Sequence, residues 1–314
     1  MAGQGRITMY DIVIIGGGVI GCAIARELKR WRLKVALCER SDDVGAGASK
    51  ANSAIIHPGH SAKPGTDMAR LNVIGNQLYD QLCQELDIPF QRCGALTVAF
   101  DEDELPALER VYRDGLANGV PDMRLIDRDE LQRREPNLNP EAVAALFAPT
   151  GGIVCPYELT VGLAENAAIN GVEVFLNTKV TQVKKNARGW TVCTDQGDFD
   201  CAAVVNAAGL YADIFNNQVS TDTMRIIPRR GEYWMIDKSF DGSFRSTIFQ
   251  LPGKMGKGVL VSPTVDGTII VGPNAEDIDD RDDSTTTRAG LEYVYQAASR
   301  IWPALPRRRS TPRH

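Results

Sequence analysis

Six residues, Gly16-Gly17-Gly18-Val19-Ile20-Gly21, constrain this chain more than any others. They follow a β-branched run, Ile12–Ile15, of the kind that forms a strand covered on both faces. A helical stretch from about Val19 to Trp31 comes next, and then a second buried strand, Val35-Ala36-Leu37-Cys38, which ends in Glu39. A lone G-x-G-x-x-G carries little weight. One that leaves a strand, opens a helix and precedes a strand tipped by a carboxylate reads as a dinucleotide-binding βαβ unit. Gly16 permits the tight turn, Gly18 lets the backbone approach a pyrophosphate, and Gly21 lets helix and sheet pack closely. The N–H groups and positive dipole end at the helix start favour phosphate charge. Glu39, eighteen residues past Gly21, can accept hydrogen bonds from both ribose hydroxyls of an adenosine.

The 314 residues suggest about two domains, enough to bury a core without disulfide or metal staples. The net charge of −5 gives no footprint for nucleic acid, and the short cluster Arg307, Arg308, Arg309 reads as a solvated tail. Seven scattered cysteines with no C-x-x-C pair read as reduced, buried thiols, and no metal-ligand spacing appears. No signal peptide or membrane-length apolar run is visible. The expectation is a cytoplasmic protein without a transmembrane segment, with peripheral attachment at the inner face of a membrane left open.

Along the chain, residues 1–8 read as a leader and 45–66 as an ordered loop rich in Gly, Ala, Ser and Pro. Residues 67–86 have helical period, with Met68, Leu71, Ile74, Leu78 and Leu82 on one stripe. Further helices are expected at 101–118, 127–134 and 157–170. Strands are expected at 96–100, 143–148, 172–176, 179–184, 190–194, 201–206, 225–236, 244–251, 258–262 and 267–272.

Whether the dinucleotide is nicotinamide or flavin turns on the residues after Glu39. A plain nicotinamide dehydrogenase would usually proceed to another regular βα unit. Here a small-residue loop, Gly45-Ala46-Gly47-Ala48-Ser49-Lys50-Ala51-Asn52-Ser53-Ala54, suits a longer cofactor, although a flexible linker is the other reading. Far downstream, Val204-Val205-Asn206-Ala207-Ala208-Gly209 is a buried strand breaking into a glycine turn that can return the chain to the cofactor.

These segments, with Arg230–Tyr233 and Gly272–Asp277, resemble the D-amino-acid-oxidase-like superfamily of FAD enzymes. The stretches 52–59 and 272–277 resemble the branch of glycerol-3-phosphate and L-2-hydroxyglutarate dehydrogenases. The resemblance implies an α/β fold: a Rossmann-like, glutathione-reductase-type FAD-binding domain with an inserted antiparallel β-rich α+β substrate domain. It implies that the first domain spans 9–92 and 153–215, and the substrate domain 93–152 and 216–302. Gly16 to Gly21, Glu39 and Arg40 would hold the ADP half of FAD. Ser49, Asn52 and Ser53 would lie along the ribityl and flavin portion, Val180 would contact the adenine, and Ala208 and Gly209 would approach the pyrophosphate. The relatives resembled continue past residue 314, so a C-terminally truncated form with an atypical tail over 303–314 is expected, with weak FAD binding and little turnover.

Oxidation of an alcohol to a ketone releases a proton from oxygen as hydride leaves carbon, and a base with a pKa near working pH assists. His57 comes shortly after the flavin-side loop and is the candidate base; an imidazole bonded to loop backbone is the alternative. His60 is the weaker candidate. Arg230 could clamp a carboxylate or phosphate bidentately, or form a surface ion pair. Tyr233 and Trp234 read more readily as core aromatics, and Thr264 is a minor pocket candidate. The function expected is FAD-dependent oxidation of a small hydroxy acid or polyol phosphate, with electrons passed to a quinone or another acceptor. Alternatives are an amino-acid- or amine-oxidising flavoenzyme, a non-catalytic FAD-binding remnant, and an NAD-dependent dehydrogenase.

Overall fold

The computed structural model describes residues 9–251 and 258–306, so the leader 1–8 and the arginine cluster 307–309 lie outside the described residues. In chain order the elements begin β1 (Met9–Ile15), α1 (Val19–Leu28), β2 (Val35–Cys38), β3 (Ile55–Ile56), α2 (Asp67–Leu86), β4 (Phe90–Gln91) and β5 (Ala95–Ala99). They continue with α3 (Leu105–Ala117), β6 (Arg124–Asp127), α4 (Arg128–Arg134), β7 (Ala144–Ala148), β8 (Gly152–Val154) and α5 (Pro156–Ile169). Next come β9 (Glu173–Phe175), β10 (Val180–Asn186), β11 (Gly189–Thr194), β12 (Gly197–Asn206) and α6 (Ala212–Val219). The last are β13 (Arg229–Arg230), β14 (Trp234–Ile236), β15 (Thr247–Gln250), β16 (Leu260–Pro263), β17 (Ile269–Gly272), β18 (Glu276–Asp277) and α7 (Arg288–Ser299).

The chain divides into two units. The first holds the residues through Asn52, Leu86–Ile88 and Pro156–Pro228; the second holds Ser53–Glu85, Pro89–Cys155 and the chain from Arg229 on. The first unit is built on a six-stranded sheet of order β10-β11-β12-β1-β2-β9. Its β12, β1, β2 and β9 run parallel, while β10, β11 and β12 form an antiparallel meander. Val13, Ile14, Val35, Ala36 and Leu37 are wholly buried, as continuous apolar runs in a parallel sheet should be. The second unit carries a seven-stranded sheet of order β14-β17-β16-β15-β5-β7-β6. It is mixed, not purely antiparallel, because β15 lies parallel to β5.

The boundaries differ from those expected. Residues 53–85 belong with the second unit because β3 pairs with β8 and because Asn76 Nδ2 donates to the Thr150 carbonyl at 2.9 Å. Residues 216–228 belong with the first, where the Gln218 side chain accepts from Val183 N at 2.8 Å. Three helices also depart from the sequence reading. The expected stripe of α2 faces outward, while its buried residues are Ala69, Val73, Asn76 and Cys83. Helices α6 and α7 were not expected. Nor was 225–236 a continuous strand: it forms two short pieces separated by Gly231, whose Cβ would come within 2.8 Å of Pro273.

All seven cysteines are free thiols, and burial pushes Cys22 and Cys38 up to about 12, which leaves them unreactive. Among the described residues no metal-binding cluster occurs, and no helix is long and apolar enough to cross a membrane.

Glu135, wholly buried after α4, has one carboxylate oxygen accepting from Arg245 N at 3.0 Å, whereas Oε1 finds no partner. Burial holds its carboxyl above the ordinary carboxylate range, against the opposing pull of the Arg245 and Ser246 groups. A folded-state pKa above the unfolded one gives stability that is complete below the unfolded value and lost as pH rises through the folded value. The contribution of Glu135 to stability should therefore fall between acid and neutral pH. Glu135→Gln should gain midpoint relative to wild type on going from mildly acid to neutral pH, as read from thermal unfolding of the two proteins at both.

Candidate functional site

The β1–α1 turn is shaped by its glycines. Gly16 has φ +103°, and a Cβ there would lie 2.5 Å from the Ala207 carbonyl oxygen, so only glycine lets β1 and the turn after β12 come this close. At Gly21 a Cβ would sit 2.0 Å from the Gly16 carbonyl oxygen, which is the close helix–strand approach expected of it. Gly18 is the N-cap of α1, and no side chain caps the helix through it. The nearest obstacle to a Cβ at Gly18 is Ser49 Oγ, 3.2 Å away, and at Gly47 and Gly209 nothing lies within 4 Å. This is an open, backbone-lined cradle at a positive helix end, the arrangement that accepts a pyrophosphate.

The carboxylate sits where the motif requires. Glu39 Oε2 accepts from Gly17 N at 2.7 Å and Oε1 from Ser41 N at 2.9 Å. Each carboxylate oxygen has a second lone pair, so two ribose hydroxyls can still be accepted. Ser49 Oγ accepts from Val19 N at 2.9 Å, tying the small-residue loop to the first turn of α1. The same loop is anchored by Gly45 N, which donates to the Gly17 carbonyl at 2.8 Å. Asn52 turns its side-chain amide back onto the Ala48 and Ser49 carbonyls at 3.2 and 2.9 Å, stiffening this stretch.

Thr178 N donates to the Glu39 carbonyl at 2.8 Å, and so brings the start of β10, with Val180, beside the acidic strand end. Ala208 and Gly209 come directly after Ala207, whose N–H bonds the Ile15 carbonyl at 2.9 Å. The Arg40 guanidinium lies 4.4 Å from the centre of the Tyr211 ring, a cation–π contact. Gly16 to Gly21, Glu39, Arg40, Ser49, Asn52, Val180, Ala208 and Gly209 therefore share the first unit. Sequence reasoning missed Ser41 and Tyr211: the first acts only through its backbone, and the second lies two residues past the Gly209 turn, where a single aromatic forms no motif.

Ser53 falls in the second unit, where its hydroxyl is 2.7 Å from the Tyr233 hydroxyl. Tyr233, which the sequence suggests is a core aromatic, thus carries a polar contact, and burial raises its pKa against the opposing effect of Ser53. The His57 carbonyl is held by Asn72 Nδ2 at 3.0 Å and Asn76 Nδ2 at 2.9 Å, while its ring lies 5.7 Å from that of Phe249. Asn72, Asn76 and Phe249 carried no sequence signal, because their contacts depend on strand register and on the inner face of α2. His60 is buried, with Nε2 3.2 Å from Thr97 Oγ1. Thr264 closes the β16–β17 turn through Thr268, 2.8 Å between hydroxyls.

Arg230 is engaged in ion pairs, the second of its two sequence readings. It donates to Glu276 Oε2 and Asp283 Oδ2, each at 2.8 Å, and its side chain is only 11% exposed. Cross-strand pairing of β13 with β18 sets Arg230 opposite Glu276 and Arg229 opposite Asp277. Neighbouring Glu232 is buried; it accepts from Asn274 Nδ2 at 2.7 Å and from Thr287 N at the start of α7. The guanidinium is thus the hub of an ion-pair network and already holds two carboxylates.

Fold and cradle together define a class, a two-unit dinucleotide-binding protein with a βαβ entry. Residues 11–313 match the DAO family, described as FAD dependent oxidoreductase, and the chain belongs to that family. It is 48% identical over 298 residues to a glycerol 3-phosphate dehydrogenase of Caloramator mitchellensis, covering 95% of this chain and 62% of that protein. An L-2-hydroxyglutarate dehydrogenase of Indibacter alkaliphilus is 34% identical over 85% of this chain and 68% of its own length. The solved structure of dithionite-reduced L-alpha-glycerophosphate oxidase from Mycoplasma pneumoniae, with FAD bound, matches with a TM-score of 0.91. That match covers 97% of this chain and 81% of the oxidase, at 32% identity. FAD is the family's cofactor, and the cradle beside Gly18 with Glu39 at its edge fits it.

Proposed function

We propose that this chain is the FAD-holding portion of an oxidoreductase that oxidises sn-glycerol 3-phosphate, or a closely similar small hydroxy compound, and passes electrons to a quinone or another acceptor. The observation that carries the reading is the open α1 cradle with its paired Glu39, in a chain 48% identical to a glycerol 3-phosphate dehydrogenase. Gly16 to Gly21, Glu39, Arg40, Ser49, Asn52, Val180, Ala208 and Gly209 would hold FAD, and Ser53 would act through its bond to Tyr233. When bound, FAD supplies a hydride acceptor. His57 would take the hydroxyl proton, its backbone fixed by Asn72 and Asn76 and its ring backed by Phe249. Arg230 is proposed as a positioning residue that holds the 276–285 segment, the ion-pair reading, and not as a substrate clamp.

Dye reduction by flavin-loaded protein should respond to sn-glycerol 3-phosphate. Equal or better turnover with L-2-hydroxyglutarate would transfer the assignment to that substrate, the reading supported by the Indibacter relative. His57→Asn should retain flavin and lower kcat by on the order of 10²–10⁴, the usual contribution of a general base. Unchanged turnover would remove His57 from that role.

A further inference from the structure

Arg92 takes no part in the proposed chemistry, yet every nitrogen of its guanidinium is engaged. Nη1 donates to Asn76 Oδ1 at 3.1 Å and to the Thr150 carbonyl at 2.7 Å, and Nη2 donates to the Asn76 carbonyl at 2.7 Å. Nε and Nη2 also reach the two carboxylate oxygens of Asp80, a bidentate pair. Strand order explains why these groups converge in the second unit. In the three-stranded sheet β3-β8-β4, both outer strands run antiparallel to β8. The ends of β3 and β4 and the start of β8 therefore share one rim, and His57, Arg92 and Thr150 lie next to those three ends. Asn72, Asn76 and Asp80 recur every four residues on α2, so one stripe of the helix meets that rim.

Asn76 is the junction. It lies inside the helix and is only 6% exposed, where asparagine is a poor helix former and an unpaired carboxamide is costly. Arginine carries donors only, so the carboxamide oxygen must face Arg92. The amide nitrogen is then left to the His57 and Thr150 carbonyls, each 2.9 Å away. A half-turn of the amide would set N–H groups against the guanidinium and an oxygen against two carbonyls. Arg92 thereby fixes which way Asn76 points, and Asn76, together with Asn72, fixes the His57 carbonyl.

We infer that Arg92 is a positioning residue for His57, acting through the Asn76 carboxamide. The inference rests on the reading of His57 as the base. Two donors on its carbonyl hold the peptide from which the imidazole projects, and the allowed rotamers follow that backbone beside Phe249. The same bonds tie α2 to the small sheet, but a purely structural role predicts different results.

Imidazole NMR of histidine-labelled protein reads the placement of His57 without turnover. Its ring-proton resonance, identified by its loss in His57→Asn, carries a ring-current displacement from Phe249, 5.7 Å away. Arg92→Met and Asn76→Asp should both move that resonance, since the aspartate keeps Arg92 paired but can donate to neither carbonyl. In flavin-loaded protein both should lower kcat for sn-glycerol 3-phosphate by about ten- to hundredfold and leave KM within about twofold. In the His57→Asn background, Arg92→Met should lower kcat no further. Val294→Ala opens a cavity in a hydrophobic cluster that holds no residue of α2. It should lower the unfolding midpoint and leave both resonance and kcat unchanged. Arg92→Lys keeps the charge pair with Asp80; should Arg92→Met not fold, the lysine variant is expected to fold and to move the resonance in its place. A resonance unmoved in the Arg92 and Asn76 variants, an equal response to Val294→Ala, or an Arg92→Met loss that persists without His57 would overturn the inference and leave the base reading standing. Turnover indifferent to His57→Asn would overturn both.

Discussion

Glu39→Ala is expected to weaken flavin binding by on the order of a hundredfold or more while leaving most of the second unit folded. The carboxylate has two tasks. It accepts from Gly17 N and Ser41 N, at 2.7 and 2.9 Å, and so fixes the turns on either side of the cradle. In the proposed complex its remaining lone pairs accept the ribose hydroxyls. Hydrogen bonds to a charged group contribute about 1.5–3 kcal/mol each, so losing two to the ligand weakens FAD by on the order of a hundredfold or more. Glu39→Gln should fall between, since an amide keeps one acceptor but points N–H groups at a backbone donor. Fluorescence titration of the apoprotein with FAD measures the series. Equal affinity in all three proteins would show that the strand end does not hold the sugar.

Gly21→Ala should cost the fold itself. Its Cβ would be placed 2.0 Å from the Gly16 carbonyl oxygen and 3.5 Å from Ala207 Cβ. The first obstacle is backbone, so no rotamer change relieves it, and α1 must lift from β1. Overpacking of this kind costs about 3 kcal/mol, or an unfolding midpoint lower by roughly 10 °C, and should carry FAD affinity down with it. Gly47→Ala is the control, because a Cβ there meets nothing within 4 Å and its midpoint should stay within about 2 °C. If both variants melted alike, tight helix–strand contact would not be the reason glycine occupies position 21.

The βαβ unit was legible because three independent signals coincide there: buried apolar strands, glycines at turn positions and a carboxylate at a strand end. Helix α2 shows the limit of periodicity. Its apolar spacing is genuine, but an outward seam and an inward one have the same period, and its buried face includes Asn76 among small residues. Helix α7 left no sequence signal because it buries only Gly290, Val294 and Ala298, too little apolar volume to make a stripe. The partners of Arg230 lie 46 and 53 residues away, and nothing local in the sequence points the arginine at them. Ser53 was assigned by its neighbours in sequence, whereas its bond to Tyr233 spans 180 positions. Local pattern lacks, in each case, the long-range pairing that turns a residue type into a role.

FAD lying against the start of α1 is the central claim, and a flavin titration of the wild-type chain tests it most directly. Apoprotein titrated with FAD should bind one flavin per chain saturably, quench its fluorescence, and lose that response in Gly18→Asp, which sets a carboxylate where the phosphates should lie. Failure to bind FAD, or binding that Gly18→Asp leaves intact, would contradict it.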